Sequence, residues 1–347
     1  MEPMPVVCSD AHRGHDPAYE VNLGRVRKPV YERVERGELL RDALAAAGHP
    51  LSGPVEHGTE PILEVHEPAL VEFLEQAWRR WRAARGPEVL IPGTFPPPGL
   101  ARARARPFTG GLGRPGWFCF DTSTPLVEGS YAAARAAVDV ALTAAGLLTA
   151  GARAAYALCR PPGHHAGPGY YGGFCLLNNA AVAARSLRRL GRVAILDVDF
   201  HHGNGTQETF WRDESVLYVS LHGDPAVQYP YFTGASDEAG EGAGRGTTRN
   251  FPLPDGTGED TYLATLEAAC ETVAGFRPAT LVVSAGFDTF ERDPLGAFRL
   301  GTASYSRIGE RVAELALPTL LVQEGGYALD ALGANAVALL GGFRARA

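Results

Sequence analysis

VAILDVDFHHGNGT, residues Val193–Thr206, is the stretch whose reading decides the fold. Its first half is an apolar run of strand length. It ends on Asp199 and His201, two residues apart. In extended backbone, residues i and i+2 project to the same side, so a carboxylate oxygen and an imidazole nitrogen are expected to face one point. That is how a site for a divalent metal begins. The small polar residues Gly203, Asn204, Gly205 and Thr206 predict a tight turn out of the strand.

Taken alone, the pair has a plainer reading. An aspartate at a strand end often caps the next helix, and a buried histidine is often only a hydrogen-bonding core group. The surrounding chain argues for more. Apolar runs predict strands at Pro5–Cys8, Ala155–Cys159, Val193–Asp197, Val216–Leu221, Thr280–Ala285 and Leu317–Val322. Helical patterns fall at Pro29–Ala47, Pro68–Ala84, Ser130–Ala150, Leu176–Leu190, Glu259–Phe276, Thr302–Glu314 and Leu329–Leu340. This alternation predicts a single α/β domain over residues 1–347 with a mostly parallel central sheet. After the strands come RPPGHHA with His164 and His165, then Asp199, His201, His202 and Asn204, then HGDP, then GFD with Asp288, then QEGGY with Tyr327. Ligands of open parallel sheets bind at the carboxyl ends of the strands, so five such ends carry one site better than any single motif.

The composition is that of an ordinary globular protein, with 45% hydrophobic and 20% charged residues. A net charge of -7 gives no drive toward nucleic acid or an anionic membrane and mildly favours a cationic small substrate. The five cysteines (Cys8, Cys119, Cys159, Cys175, Cys270) form no CxxC pair and read as reduced, mostly buried thiols. The start of the chain lacks signal-peptide features, and the Ala-rich stretch Tyr131–Cys159 is interrupted by Arg135, Asp139 and Arg153. A cytoplasmic protein is expected. Two stretches read as irregular: Gly223–Pro254, and Gly86–Gly116, which holds seven Pro, seven Gly, four Arg and one acid, Glu88. A loop as long as the latter is a surface loop, or one at a site mouth or subunit interface.

Asp199, His201 and Asp288 make a mononuclear metal site that leaves a position open for water. His164 and His165, after a rigid Pro-Pro-Gly, suit a general base and an electrostatic or acid partner, with Asp197 and Asn204 as groups that set their tautomer and basicity. Tyr327, after two glycines, is placed to donate to a developing oxyanion. Phe174 and Tyr229 read as channel walls or as core packing.

With these residues assembled, the chain resembles the histone deacetylase superfamily. The matching text is RPPGHHA, GGFCLLNNA, ILDVDFHHGNGT, YVSLHGDP, SAGFDTFERDP and QEGGY. Within it, the likeness is to bacterial acetylpolyamine amidohydrolases, through the chain length, HGNGTQE, SLHGDP, DTFERDP and the start ending at Glu20. The resemblance implies an arginase/deacetylase-like three-layer fold and hydrolysis of an N-acetyl amide to amine and acetate. It implies Asp199, His201 and Asp288 as zinc ligands, His165 as general base and later acid, and His164 with Asp197 as its electrostatic partner. Tyr327 matches the group that polarises the acetyl carbonyl, and Gly173 the backbone acceptor for the substrate amide. Phe174 and Tyr229 match the channel walls. A structural potassium site is implied at Asp197, Asp199, His201, Ser220 and Leu221. The oxygen and nitrogen ligands also suit Fe2+ or Co2+. A homodimer acting on a small acetylated amine is implied, with Glu20 meeting the distant ammonium. The family's loop acid aligns with Leu112, and the Arg-rich loop 86–116 would repel a cationic tail by about 1 kcal/mol per close pair.

Three other readings stand beside this one. A protein acetyl-lysine deacetylase would use the same machinery. A binuclear ureohydrolase shares the fold but needs more bridging carboxylates than Phe200, His202 and Asn204 supply. A non-catalytic binding protein would not need the full catalytic set.

Overall fold

A computed structural model of the chain describes residues 3–22, 26–84, 86–97 and 113–346. Among the described residues there are ten strands: β1 Val6–Val7, β2 Glu20–Asn22, β3 Val26–Lys28, β4 Leu51–Ser52, β5 Ala154–Ala157, β6 Val193–Asp197, β7 Val216–Gly223, β8 Thr248–Leu253, β9 Thr280–Ala285 and β10 Thr319–Gln323. Eight of them form one sheet in the order β4-β1-β5-β10-β9-β6-β7-β8. Every neighbouring pair in it is parallel. The expected α/β domain is therefore found, with a wholly parallel sheet.

Alternation along β6 explains the layering. Val193 and Ile195 join a core with the helices Pro68–Ala83, Ser130–Thr149 and Asn179–Leu187. Ala194 and Leu196 join a second core on the other face, with the helices Val34–Ala46, Glu259–Phe276, Thr302–Glu314 and Leu329–Arg346. A sheet covered on both faces needs strands that are apolar throughout, and β5, β6, β7, β9 and β10 are buried at every position. The helix Ser130–Thr149, in the stretch expected not to span a bilayer, is by length and composition apolar enough to cross one, and it packs on the sheet.

Several expectations need correction. The stretch 223–254, read as irregular, contains β8 at the sheet edge. Its Pro252 and Asn250 mask a strand signal, and an edge strand tolerates proline because one side needs no ladder bonds. The strand carrying Asp199 and His201 stops at Asp197, so both residues lie in a bend and not in extended backbone. The segment from Asn204 opens a helix, Asn204–Phe210. Gly205 serves close packing there: a side chain on it would lie 2.3 Å from the Ala166 backbone. Of the loop 86–116, residues 98–112 lie outside the described residues, and with them Arg102, Arg104, Arg106 and Leu112. Its described ends fold onto the domain through a Leu90–Leu126 bridge and a helical turn, Pro115–Phe118.

Candidate active site

The strand order makes the site. β9 and β10, late in the chain, insert between β5 and β6. The loops after these four adjacent strands carry His164 and His165, Tyr327, Asp288, and Asp199 with His201. His164, His165, Gly173, Phe174, His201, Tyr229 and Tyr327 line one cavity of about 220 Å³, together with Glu20 from the β2–β3 hairpin.

Asp199, His201 and Asp288 present ligand atoms that all lie within 4.8 Å of one another. His201 Nδ1 is 2.9 Å from Asp288 Oδ2 and 3.4 Å from Asp199 Oδ1. The bend itself brings them together, because the His201 backbone N–H donates to Asp199 Oδ1 at 2.9 Å. Two backbone N–H groups hold the carboxylates from behind: Phe200 donates to Asp288 Oδ1 at 2.8 Å, and Gly325 to Asp199 Oδ2 at 2.8 Å. Close approach at Gly325 requires glycine, since a Cβ there would lie 2.5 Å from Asp288 Oδ2 and 2.7 Å from Asp199 Oδ2. Burial opposes a charge on His201, yet the two carboxylates raise it to about 10. Two buried carboxylates beside one imidazole therefore hold a cation readily, and the donor set fits a divalent ion.

The tandem histidines are held differently. His164 Nδ1 is 3.0 Å from Asp197 Oδ2. Burial opposes its protonation, but Asp199 and Asp197 raise it to about 10. His165 Nδ1 meets the neutral Asn204 Oδ1 at 2.7 Å. Burial, then the charges of His164 and His201, push it well below the usual range. Two imidazoles with ring centroids 4.1 Å apart are thus pushed in opposite directions, His164 up and His165 down. Gly173 must be glycine, because a Cβ would strike the His165 ring at 2.2 Å and its φ is +58°. The Phe174 ring stands 5.5 Å from Tyr327 and the Tyr229 ring 5.1 Å from His165, and both line the cavity. Asp197 and Ser220 are register neighbours on β6 and β7, with Leu221 next along.

His222 and His202, among the strand-end residues, do not line this cavity. His222 bonds the Gly234 carbonyl at 2.9 Å, and His202 bonds Thr233 and Gln207. Both tie down the loop after Tyr229. Cys175 lies near His164 and Glu324, but its thiol is buried well above its usual pKa and donates to the Gly173 carbonyl.

Four residues of the site were not read from sequence. Asp121 Oδ2 accepts from the Gly173 N–H at 2.7 Å and the Tyr229 hydroxyl at 3.0 Å, holding two residues that line the cavity. The Asp-Thr-Ser-Thr run at 121–124 was its only signal. Glu324, within QEGGY, accepts the backbone N–H groups of Gly163 and His164 and so fixes the histidine turn. Arg36 donates to the Gly326 and Glu324 carbonyls at 2.7 Å, its guanidinium 4.7 Å from the Tyr327 ring centroid. Asp293 Oδ2 accepts the Tyr327 N–H at 2.6 Å. Nothing in a helix sequence marks Arg36 as reaching a turn 290 residues away.

A parallel sheet whose central loops join an anionic cradle, paired histidines and a phenol defines a hydrolase-like metal site, and the chain belongs to the histone deacetylase family. The histone deacetylase domain model matches residues 25–343. The chain is 46% identical over 345 residues to acetylpolyamine amidohydrolase 1 of Pseudomonas aeruginosa, covering 98% of this chain and 99% of that one. Among solved structures, the acetylpolyamine aminohydrolase of Burkholderia pseudomallei matches with a TM-score of 0.93 and 39% identity, over 99% of both chains. The HD domain of HDA15 matches with a TM-score of 0.79 and 31% identity, over 97% of this chain and 90% of that one.

Proposed function

We propose that this protein hydrolyses the N-acetyl amide of acetylated polyamines or related small amines, releasing acetate and the free amine. The observation that carries the reading is that His201, of the Asp199–His201–Asp288 cradle, lines one cavity together with His165, Tyr327 and Glu20. The names of the similar amidohydrolases support the substrate class.

Asp199, His201 and Asp288 would hold one divalent ion, Zn2+ by preference, which when bound polarises a carbonyl and acidifies water. His165 takes a proton from the attacking water and returns it to the leaving nitrogen. His164, cationic beside it, stabilises negative charge gathering in the site. The Tyr327 phenol donates to the developing oxyanion. Gly173 offers its carbonyl to the substrate amide, and Phe174 and Tyr229 grip an extended alkyl chain and exclude water. The same carboxylate-rich strand ends, Asp197 with Ser220 and Leu221, support a structural K+ site. The enzyme is proposed to work as a cytoplasmic homodimer.

Glu20 is the anion for the distant ammonium. It is 1% exposed, and burial pushes it up to about 7, aided by Asp121 and Glu32 and opposed by the Tyr31 N–H and Lys28. A carboxyl whose pKa is raised is neutral below that value and anionic above it. The KM for acetylspermidine should therefore rise about fivefold as pH falls through about 7, from loss of roughly 1 kcal/mol of attraction. Glu20→Gln should carry the higher KM at all pH values and lose this pH dependence. An unchanged profile in that variant removes Glu20 from substrate binding. The stability sign is opposite: the buried charge costs stability increasingly as pH rises from the unfolded value to about 7, so Glu20→Gln should melt higher than wild type above that pH.

The likeness to the HDA15 domain favours a second reading, an acetyl-lysine protein deacetylase. Comparing kcat/KM for acetylputrescine, acetylspermidine and an acetyl-lysine peptide separates the two. The small amines should lead by about tenfold or more, and cleavage of the peptide alone overturns the polyamine reading.

A further inference from the structure

A second cavity, of about 460 Å³, shares a wall with the catalytic one. In the loop after β7, Tyr229 and Tyr231 line the catalytic cavity, whereas Pro230 and Phe232 line the second. Phe120, also in the second, stacks on Tyr229 with ring centroids 5.9 Å apart. The volume is that of a small-ligand site.

The lining combines aromatic faces with negative charge. Phe120, Tyr170, Trp211 and Phe232 supply the rings. Phe120 and Tyr170 hold one another edge to face at 5.5 Å. Phe232 is left in water, 91% exposed, so an alkyl chain laid on it would bury apolar surface. Glu208 and Glu238 supply the charge, and among the described residues no lysine, arginine or histidine lines the cavity. Glu208 also borders a neighbouring cavity with Arg185, Arg188 and Arg212, but those guanidiniums pair with Asp213 and Glu241. Glu238 is fixed by neutral donors: its Oε2 accepts from Gln207 Nε2 at 2.6 Å, the Gly234 N–H at 2.9 Å and Asn250 Nδ2 at 3.3 Å. Its charge is held in place without being cancelled.

We propose that this cavity binds a free aliphatic polyamine, apart from the catalytic cavity. The methylene carbons lie on the aromatic walls, and two ammonium groups meet Glu208 and Glu238 and the ring faces. A bare metal ion would make no use of the apolar walls, and a neutral apolar ligand would leave the two carboxylates facing it without a partner. A chain with charges spaced along apolar carbon satisfies both. The occupant shares the amine chemistry of the proposed reaction and rests on that reading to this extent, so the test reads binding and not turnover. Calorimetric titration of the whole chain with putrescine or spermidine at low ionic strength should show a saturable site that weakens as salt is raised. Phe232→Ala and Glu208→Gln, both at exposed positions, should keep Tm and each weaken that site by about threefold to fivefold. Butylamine, with the carbons of putrescine and one charge fewer, should bind more weakly than putrescine by about the same factor. Glu20→Gln, in the catalytic cavity, should leave the site unchanged. No saturable binding of either polyamine up to about 10 mM overturns the proposal. So does a site that is lost in Glu20→Gln but untouched by Phe232→Ala and Glu208→Gln, since the amine would then bind only in the catalytic cavity. Acetylspermidine left uncleaved while this site binds as described would count against the proposed reaction and not against the site.

Discussion

Asp288→Ala is expected to lose bound metal and turnover together. Asp288 supplies one of two carboxylates to the cradle, and its Oδ2 sits 2.9 Å from His201 Nδ1. Without it, one carboxylate and one imidazole remain, too few ligands for a mononuclear catalytic site. The Phe200 N–H, which donates to Asp288 Oδ1 at 2.8 Å, would be stranded in a buried position, at a cost of about 1–3 kcal/mol. Asp288→Asn separates the two effects. It keeps an acceptor for Phe200 and so most of the stability, but it lacks the charge and still binds metal poorly. Metal content by elemental analysis, Tm and turnover should follow this order. Retention of one tightly bound ion in Asp288→Ala would remove Asp288 from the ligand set, and two catalytic ions per wild-type chain would favour the binuclear reading.

Tyr327→Phe is expected to lower kcat by about 10²–10³-fold while metal content stays whole. The phenol lines the same cavity as His165 and His201, whereas the Tyr229 hydroxyl there is committed to Asp121. The Tyr327 ring is held by its neighbours. Arg36 lies beneath it and holds the Gly326 carbonyl, while Asp293 accepts its backbone N–H and Phe174 stands at its edge. Phe keeps those contacts and removes only the donor, so KM and Tm should change little. Wild-type turnover in this variant would exclude the oxyanion role.

The main elements were legible because their patterns are strong. β6 and β9 coincide with their apolar runs, as do the helices Glu259–Phe276 and Thr302–Glu314. The elements missed were short or lay at edges. β4 has two exposed residues, and β8 interrupts its apolar pattern with Asn250 and Pro252. The metal-cradle and histidine residues were also legible, because each follows a strand in a local motif. Asp121, Arg36 and Asp293 were not, because their roles are to hold backbone from a distance. A carboxylate that accepts the N–H of Gly173 has the same sequence signature as one that merely caps a turn.

The sequence by itself determined which side chains stand at the strand ends, and hence the cradle, the tandem histidines and the phenol. It could not tell that β9 and β10 fold back between β5 and β6, since strand order depends on which apolar faces pair across more than a hundred residues. That insertion brings Asp288 to Asp199 and Tyr327 to His165. The state of the histidines was likewise decided only in three dimensions. His164 and His165 are the same residue type, and it is Asp199 and then Asp197 beside the first that raise it, while burial and the charges of His164 and His201 lower the second.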